Sequence, residues 1–425
     1  MCLQNDCCKA ILKRQVDIQR QKGKLSDKNA NAATSQTPSV LPHGRFKAMK
    51  RTVFILLFCI LATSISAQKK PGPGKLSIAV NYNVELLGLA YFIGFEGVDI
   101  EKQTVEINGR TIPKKEWHTY GFYIYEKYKQ YATSENLSKS FALADHLWLD
   151  SILYLLIQVD DFPHARLTSA IDAKYFIHFS KKNDTAEARQ NATIFLDGLN
   201  SFSKEINFTQ YITDTKLFYD AALREVKKSL PKSDFISAME TFYKKTFDNY
   251  ILAPSLTIPK GMGFGLRFTK AGNTRLFNVF GAFEAQSLQQ NQTLNLGFAS
   301  PQRLRELSIH EFGHSFVNPI IDSLPQERIA STGRFFEPIK SVMERQGYNT
   351  WRVCLYEHFV RAGEVVIANM LGDKAGAKML QTHYVNDRRF IYLPLIINEL
   401  GIYQKKKQPY YNAALQAMDN LLEQK

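Results

Sequence analysis

Residues 307–319, LSIHEFGHSFVNP, contain two histidines four positions apart, with a glutamate directly after the first. On an α-helix, side chains four positions apart are neighbours, so His310 and His314 can direct their imidazoles at one point. Glu311 lies about 100° further around the helix and can face that point from the side. The pattern therefore predicts a metal site on a helix. The alternative is an amphipathic helix that holds two histidines without binding a metal.

The sequence on either side of this motif favours a helix. Apolar residues rather than charges flank the two histidines, and a Ser-Pro pair at 300–301 has the composition of a helix start. We predict a helix over 301–317, with Asn318 in the turn that follows and Pro319 closing it. The segment LNLGFAS, residues 294–300, is predicted to be a strand that leads into this helix.

The spacing of the motif suits a zinc ion and the hydrolysis of an amide. A catalytic Zn²⁺ has three protein ligands and a fourth position open to water, whose pKa it lowers towards ~7. A carboxylate beside that water can take its proton and pass it to the leaving amine. We therefore predict His310 and His314 as zinc ligands and Glu311 as the general base.

Residues 49–67, MKRTVFILLFCILATSISA, have the three-part layout of a secretory signal peptide. The basic pair Lys50-Arg51 precedes an apolar run, and small residues lead to a predicted cleavage after Ala67. The apolar run is too short to cross ~30 Å of hydrocarbon comfortably at ~1.5 Å per residue. We therefore expect export to the periplasm or the medium, and no stable membrane insertion after cleavage.

Residues 1–48 precede this signal peptide and are rich in polar residues. Two interpretations are open: either translation begins at Met49 and the extension is not native, or the extension is a disordered cytoplasmic tail. We favour translation from Met49, because secretory signals begin at or near the first residue of a chain.

Residues 68–425 carry 43 Lys/Arg and 37 Asp/Glu, a net charge of +6. This mildly basic balance is too weak to indicate a nucleic-acid-binding protein. Cys354 is the single cysteine of this range. An exported chain would therefore contain no internal disulfide and would depend on its hydrophobic core for stability.

The hydrophobic pattern divides the chain into a mainly helical region, 68–248, and a second region, 249–425, with a sheet and the HExxH helix. In the first region KLSIAVNY (75–82) alternates like a strand, and Asn83 is a predicted cap for the helix that follows. TVEINGRTI (104–112) has an Asn-Gly pair between two β-prone arms, which predicts a hairpin.

Three or four strands are predicted within residues 251–300, where Gly, Phe and Thr are common and helix signals are few. Apolar residues recur at helical spacing elsewhere, and we predict helices over 139–158, 185–204, 213–229, 233–247, 301–317, 335–346, 350–371, 373–382, 389–402 and 409–423. The expected fold class is α+β, mostly helical with a small mixed sheet.

The HEFGH motif after a strand-rich segment resembles the zincin superfamily of metallopeptidases. The wider chain is similar to a family of exported bacterial HExxH proteins classed as a domain of unknown function. The similar segments are NVELLGLAYF (83–92), DDFPHARL (160–167), SIHEFGHSFVNP (308–319) and YEHFVRA (356–362). This resemblance implies a zincin-like catalytic region in 249–425 and a zinc peptidase that acts on a peptide or protein substrate.

Zincins differ in the third protein ligand of the metal. The metzincin extension requires Gly and His where this chain has Val317 and Ile320, so that type is excluded. In the gluzincin type a glutamate from a later helix completes the set, and we assign this role to Glu357 in the predicted helix 350–371. His358, Glu364 and Glu337 remain alternatives.

One position departs from the thermolysin-like pattern, which has an aspartate four residues after the ligand glutamate. Here that position is Arg361. The contacts that orient the ligands must therefore be built differently. We expect Arg361 either to orient Glu357 or to bind a substrate carboxylate.

Amide hydrolysis also needs a donor aimed at the developing oxyanion. His383 and Tyr384, on a predicted loop, and Tyr392 are candidates; the alternative is that they are ordinary polar loop residues. The Gly-rich segment GMGFGLRF (261–268) lacks the Lys-Ser/Thr of a phosphate loop. It is predicted to be an edge strand that pairs with an extended peptide.

Two other functions agree with the same residues. One is a zinc-stabilised binding or surface protein without turnover, although the presence of Glu311 argues against it. The other is hydrolysis of a non-peptide amide, such as a cell-wall or acyl-amide bond, since the chemical groups required are the same.

Overall fold

The computed structural model describes residues 74–424 except 108–109, 145, 232–233, 290–293 and 407. The predictions for residues 1–48 and for the signal peptide at 49–67 lie outside the described residues. Within the part that is described, no helix is both long and apolar enough to span a bilayer.

The strands form one mixed sheet and one hairpin. Their bounds are β1 Lys75–Ile78, β2 Thr104–Ile107, β3 Arg110–Pro113, β4 Asn249–Pro254, β5 Gly263–Lys270 and β6 Asn273–Phe280. The four-stranded sheet has the order β1, β4, β6, β5, in which β5 alone is antiparallel to its neighbour. Strands β2 and β3 pair antiparallel, which confirms the predicted hairpin.

Helices surround these strands, and the α+β class is confirmed. The helices are α1 Tyr82–Gly94, α2 Lys114–Trp117, α3 Thr119–Tyr128, α4 Glu135–Ala144, α5 Leu149–Leu156, α6 Thr185–Glu205, α7 Phe208–Lys228, α8 Phe235–Tyr243, α9 Pro301–Ser323, α10 Gln326–Thr332, α11 Lys340–Arg345, α12 Trp351–Met370, α13 Lys374–Thr382, α14 Leu393–Lys405 and α15 Tyr410–Leu422.

The four-stranded sheet joins the two regions distinguished in the sequence. Strand β1 from the first region pairs in parallel with β4 from the second, with Lys75 opposite Asn249 and Ile78 opposite Leu252. The boundary between 248 and 249 coincides with the start of β4. Both regions therefore contribute to one sheet.

The start of α1 differs from the prediction, which made the preceding strand too long and placed the cap at Asn83. The observed cap is Asn81, whose side chain accepts a hydrogen bond from the Val84 amide at 3.1 Å. Asn83 is buried instead. Its side chain donates to the Leu156 carbonyl at 3.1 Å and accepts from the Phe162 amide at 3.2 Å. The polar side chain of Asn83, which suggested a cap, is thus engaged in tertiary contacts at the end of α5.

Two predicted helices are each divided in the structure. The helix predicted over 139–158 is α4 and α5, because Trp148 has extended backbone with ψ 148° and interrupts the helical turn. The helix predicted over 335–346 consists of a 3₁₀ turn at Glu337–Ile339 followed by α11.

The strand predicted over 294–300 is wrong. The backbone amides of this segment donate to a side chain instead of to a neighbouring strand. The Glu225 carboxylate on α7 accepts hydrogen bonds from the Leu296 amide at 2.7 Å and from the Phe298 amide at 2.8 Å. Within 294–300, the β pairing is limited to one bridge, between Asn295 and Ser287. Because a side chain satisfies these amides, the segment has no need of a sheet.

The helix that carries the HExxH motif does not end at Pro319, as predicted, but continues to Ser323. A proline inside a helix has no N–H for the carbonyl four residues earlier. That carbonyl, of Ser315, accepts a hydrogen bond from the Arg267 guanidinium of β5 at 3.0 Å. Arg267 therefore satisfies the acceptor that Pro319 leaves without a helical partner, and the helix continues.

Aromatic contacts fix α9 against the sheet and against α8. Phe312 meets Tyr250 of β4 edge to face, with ring centroids 5.2 Å apart. Phe316 stacks on Tyr243 of α8 at 4.6 Å. All four rings are buried, and each buried side chain of this size contributes roughly 1.5–3 kcal/mol. These contacts set the direction in which the opposite face of α9 presents its histidines.

Strand β5 approaches the backbone of α9 very closely at one glycine. A Cβ placed on Gly265 would collide with the Glu311 backbone carbonyl. The absence of a side chain therefore lets the edge strand lie directly along the helix that carries the motif.

Candidate metal centre

Three of the predicted metal-ligating side chains converge in the structure. Nitrogens of His310 and His314 on α9 and a carboxylate oxygen of Glu357 on α12 all lie within 4.8 Å of one another. The two Nε2 atoms are 3.3 Å apart, and Glu357 Oε1 lies 3.4 Å from His314 Nε2. Glu357 Oε2 lies 3.7 Å from His310 Nε2. Helices α9 and α12 thus bring together residues that are far apart in the sequence.

The two imidazoles are oriented by acceptors on their other nitrogens. His310 Nδ1 lies 2.6 Å from Glu364 Oε1, and His314 Nδ1 lies 3.2 Å from Asn318 Oδ1. Because both partners are oxygen acceptors, both Nδ1 atoms carry the ring hydrogen and donate it. Both Nε2 atoms therefore present lone pairs to the same point.

This arrangement fits a tetrahedral zinc ion. Two lone pairs facing each other repel unless a cation lies between them. Zn–N bonds of ~2.0–2.1 Å at a tetrahedral angle separate two ligand nitrogens by roughly 3.3 Å, which matches the observed Nε2–Nε2 distance of 3.3 Å. The donor set of two neutral imidazoles and one carboxylate is one that zinc accepts.

The carboxylate of Glu357 is held in its charged form. Burial alone would raise its pKa, but the Arg361 guanidinium, followed by His314 and His310, lowers the pKa to about 2. Arg361 Nη2 donates to Glu357 Oε2 at 2.8 Å, and the arginine itself is buried. Of the two expectations for Arg361, its contacts therefore agree with orienting Glu357.

The alternative third ligands lie elsewhere. Glu364 contacts the far nitrogen of His310 rather than the point of convergence. His358 is buried and donates from Nδ1 to the Cys354 carbonyl at 2.8 Å. Glu337 is exposed and pairs with Lys340 at 3.6 Å. The structure thus groups Glu357, rather than these residues, with the two histidines.

Glu311, the predicted base, is buried beside the ligands. Burial, with the neighbouring Glu357 charge as a second cause, raises the pKa of Glu311 to about 8, while the Gly265 amide hydrogen-bonds to the carboxylate and opposes this shift. This pKa of Glu311 applies to the site without a cation, and a positive charge at the point of convergence would lower it. Glu311 therefore lies near enough to Glu357 for the two carboxyl groups to influence each other's charge.

The positions predicted for the oxyanion donors need correction. His383 and Tyr384 are not on a loop but on a π-helical turn, His383–Asp387, that extends α13. Tyr384 is buried, and its hydroxyl donates to Glu364 Oε2 at 2.6 Å, so its proton is already committed. His383 pairs with Asp387 at 2.8 Å. Tyr392 donates to the Phe335 carbonyl at 2.8 Å.

A different tyrosine, which the sequence reasoning missed, stands beside the ligand carboxylate. The Tyr348 hydroxyl accepts hydrogen bonds from Arg361 Nη2 at 3.1 Å and from Arg388 Nη2 at 3.3 Å. Among the described residues its own hydrogen has no acceptor. A phenol that accepts from two guanidinium groups is a strong donor. No spacing in the sequence identifies Tyr348, because the two arginines come from separate elements.

Strand β5 is at the edge of the sheet, as predicted for GMGFGLRF. Tyr154 from α5 lies against the outer side of this strand. Its hydroxyl donates to the Gly265 carbonyl at 3.4 Å and is also hydrogen-bonded by the Arg267 backbone. The side chain of Tyr154 therefore occupies the edge of the sheet at the middle of β5.

A family described as a domain of unknown function (DUF4932) matches residues 76–415. The chain belongs to this family. The matched residues include the four-stranded sheet, apart from Lys75 at the start of β1, and all three ligands of the candidate metal centre. Neither the curated proteins nor the solved structures give a significant match to the chain.

Proposed function

We propose that the protein is an exported, zinc-dependent metallopeptidase of gluzincin type. The observation that carries the proposal is the meeting of His310, His314 and Glu357 around one point, with both Nε2 lone pairs directed at it. The position of Glu311 beside this point adds the base that hydrolysis requires.

The three ligands would hold one zinc ion, which when bound acts as a Lewis acid on water and on the scissile carbonyl. Each ligand is kept in place by a hydrogen bond with another side chain. Glu364 orients His310, Asn318 orients His314 and Arg361 orients Glu357. Such supports fix the direction and protonation of ligands and strengthen metal binding.

Glu311 takes a proton from the attacking water and returns it to the nitrogen of the leaving amine. Both steps need a carboxylate that stays close to the reacting atoms and does not rotate away. The Gly265 amide holds this carboxylate, and burial keeps bulk water from competing with the transfer. Glu311 is thus both base and acid in the proposed reaction.

Tyr348 donates a hydrogen bond to the oxygen that becomes negative when water attacks the carbonyl. Its hydrogen has no acceptor among the described residues, and two guanidinium groups polarise its oxygen. A donor fixed before the reaction stabilises the developing charge without reorganisation. In this proposal Tyr348 has the role that the sequence suggested for His383, Tyr384 or Tyr392.

An extended peptide would lie along the first half of β5. The edge strand runs beside Glu311, and Tyr154 occupies the edge at Gly265 and Arg267. Backbone pairing with an edge strand binds peptides of many sequences, because it uses main-chain groups. Export through the segment 49–67 would bring the enzyme to its peptides outside the cytoplasm.

Zinc content and peptide hydrolysis together test the proposal. Purified protein is expected to contain one zinc per chain by elemental analysis and to cleave members of a mixed peptide library. Glu311→Gln should keep zinc and lose about 10²–10⁴-fold in activity, because the base is removed but the ligands are intact. Glu357→Ala should lose zinc.

Three other outcomes would contradict parts of this proposal. Unchanged hydrolysis by zinc-loaded Glu311→Gln would reject Glu311 as the base and, with it, the assignment of the hydrolysis to this metal centre. Full zinc occupancy in Glu357→Ala would reject the third ligand. Zinc binding by the wild type without cleavage of any peptide would favour the zinc-stabilised binding protein or an amidase for non-peptide amides.

A further inference from the structure

The backbone of Tyr348 is fixed by the end of helix α11. The Gly347 amide donates to the Glu344 carbonyl at 2.9 Å, and the Tyr348 amide donates to the Met343 carbonyl at 2.9 Å. This pair of hydrogen bonds is the Schellman motif, which ends a helix with a left-handed residue, usually glycine. Gly347 meets that requirement with φ 90°. The local sequence therefore determines where the tyrosine leaves the helix.

A second segment, distant in the sequence, holds this turn from outside. Gln346, which immediately precedes Gly347, donates from Nε2 to the Arg388 carbonyl at 2.9 Å, and Arg388 Nε donates in return to Gln346 Oε1. The two residues are 42 positions apart. Two hydrogen bonds between the same pair fix its orientation as well as its separation. The end of α11 is therefore tied to the residue that follows the π-helical turn His383–Asp387.

The Arg388 guanidinium also reaches the Tyr348 hydroxyl. Its Nη2 donates to the hydroxyl at 3.3 Å, and the side chain is buried, with 4% exposure. Burial and the charge of the neighbouring Arg361 both lower the pKa of Arg388, which means that the charged form is held there at a cost. The Gln346 and Tyr348 oxygens offset part of this cost by accepting its hydrogens.

The alternative is that Arg388 contacts a substrate directly, and its hydrogen bonds argue against this. Gln346 accepts from Nε and Tyr348 accepts from Nη2. The tyrosine is partly exposed, whereas the arginine is buried. An effect of Arg388 on the reaction therefore passes through Tyr348.

The π-helical turn that precedes Arg388 also supports the candidate metal centre. Tyr384 on this turn donates to Glu364, which accepts from His310. The segment 383–388 therefore holds a ligand histidine through Tyr384 and the proposed oxyanion donor through Arg388.

We infer that Arg388 and Gln346 are positioning residues that hold the Tyr348 hydroxyl in place for the reaction. This inference rests on the proposed peptidase function and on Tyr348 as the oxyanion donor. A donor stabilises the developing charge best when it is fixed before the reaction begins. A displacement of about 1 Å in a positioned group can lower the rate by about 10²-fold.

Arg388→Met removes the hydrogen bonds of the guanidinium with Tyr348 and Gln346. In zinc-loaded protein it should lower kcat by about 10–100-fold and leave KM and zinc content within about twofold. The reason is that the two hydrogen bonds that are lost reach neither the ligands nor the ground-state peptide. Steady-state kinetics with one peptide and elemental analysis measure the three quantities.

A double-mutant cycle with Tyr348→Phe separates positioning from a general loss of structure. Because Arg388 acts through the tyrosine hydroxyl, Arg388→Met should change kcat by less than about twofold once that hydroxyl is removed. Gln346→Met should lower kcat less than Arg388→Met does, and it too should have no further effect in the Tyr348→Phe background.

Arg389→Met is the matched control. Arg389 is the next residue, carries the same charge and is exposed. The control should keep the kcat, KM and zinc content of the wild type.

Two results would overturn the inference while the peptidase stands. One is normal kcat in both zinc-loaded Arg388→Met and Gln346→Met, and the other is an equal loss of kcat with and without the Tyr348 hydroxyl. Should Arg388→Met fail to fold, Gln346→Met, at a partly exposed position, decides the question by the same cycle. A zinc-loaded wild type that cleaves no peptide would instead reject the proposed function, so the two failures are distinguishable.

Discussion

Glu364 connects the candidate metal centre to the protein around it. One carboxylate oxygen accepts from His310 Nδ1 at 2.6 Å, and the other accepts from the Tyr384 hydroxyl at 2.6 Å. The tyrosine fixes the carboxylate, and the carboxylate fixes the ring of the histidine. In the proposed zinc site, residues that are not themselves ligands would therefore determine how well the metal is held.

Glu364→Gln is expected to weaken zinc binding by about 10–100-fold. The amide offers one acceptor oxygen where the carboxylate offers two, so either His310 or Tyr384 loses its partner. Competition with a coloured chelator at fixed pH measures the affinity. Tyr384→Phe, which keeps the contact between Glu364 and His310, is the control and should have a smaller effect. Equal affinity in Glu364→Gln and wild type would contradict this role.

Tyr348→Phe should lower kcat by about 10²–10³-fold, the effect of removing one oxyanion donor. KM and zinc content should change little, because the hydroxyl contacts neither the metal nor the ground-state peptide. Steady-state kinetics with one peptide separate kcat from KM. Tyr392→Phe removes a hydroxyl that donates to the Phe335 carbonyl and should keep normal kcat. A Tyr348→Phe enzyme with unchanged kcat would reject the donor.

For single residues, the sequence predicts those relative positions that the geometry of one helix fixes. His310, Glu311 and His314 belong to one helix, so their relative positions follow from the spacing. Glu357 needed the added assumption of a later helix, and the structure places it with the two histidines. Tyr348 and Asn318 could not be predicted, because their roles depend on where Arg361, Arg388 and His314 meet them in space.

Helix α9 shows how one element depends on another. Pro319 would normally end or kink a helix, but the Arg267 side chain from β5 donates to the Ser315 carbonyl at 3.0 Å. The strand thus stabilises the last turns of the helix. The Arg267 guanidinium also lines a cavity of about 620 Å³. Replacing Arg267 should therefore affect both the end of the helix and this cavity.

A double-mutant cycle on Arg267 and Pro319 tests this dependence. Arg267→Ala should cost about 1–3 kcal/mol in the free energy of unfolding, because a partly buried acceptor loses its donor. In a Pro319→Ala background the new amide can donate to Ser315, so the same mutation should cost less. Denaturant unfolding of the four proteins gives the coupling energy. Additive effects of the two mutations would contradict the argument.

The elements that were predicted correctly have strong local patterns. The hairpin at 104–112 and helix α12 follow from turn chemistry and from apolar spacing. The strand predicted over 294–300 fails because Glu225, about 70 positions earlier, takes its amides. Local propensity does not contain such a distant partner, and tertiary contacts override it.

At the scale of the molecule, a buried carboxyl joins several helices. Glu85 on α1 accepts from the Tyr219 hydroxyl at 2.7 Å and from Thr257 at 3.1 Å. Tyr219 is linked through Tyr211 to Tyr120, each at 3.0 Å. Burial raises the pKa of Glu85 to about 7, although these hydrogen bonds oppose the shift. The folded protein therefore keeps this proton at a pH where the unfolded chain has lost it.

This proton makes stability depend on pH. Between the ordinary value of 4.5 and about 7, the folded state binds more protons than the unfolded state, so stability falls as pH rises. The contribution is about 3 kcal/mol in all. Glu85→Gln should show a flatter dependence over this range in denaturant unfolding with excess chelator. The exposed Glu126→Gln is the control, and parallel curves for wild type and Glu85→Gln would contradict the prediction.

The α+β class was predictable because the helix-rich and strand-rich segments have different compositions. That β1 would join β4 in one sheet was not predictable, since 170 or so residues separate the two strands and strand pairing over such a distance leaves no local pattern. The family match, residues 76–415, spans both. One family model therefore covers both the sheet and the candidate metal centre.

The position of Tyr154 beside β5 has a consequence for how molecules of this protein meet one another. A bare edge strand is a template on which a second copy can add and begin an aggregate. Here the Tyr154 side chain lies at the middle of the β5 edge, and its hydroxyl donates a hydrogen bond to the Gly265 carbonyl. A neighbouring molecule meets this side chain at the middle of β5, so a shorter length of the strand edge is left on which a second copy could add.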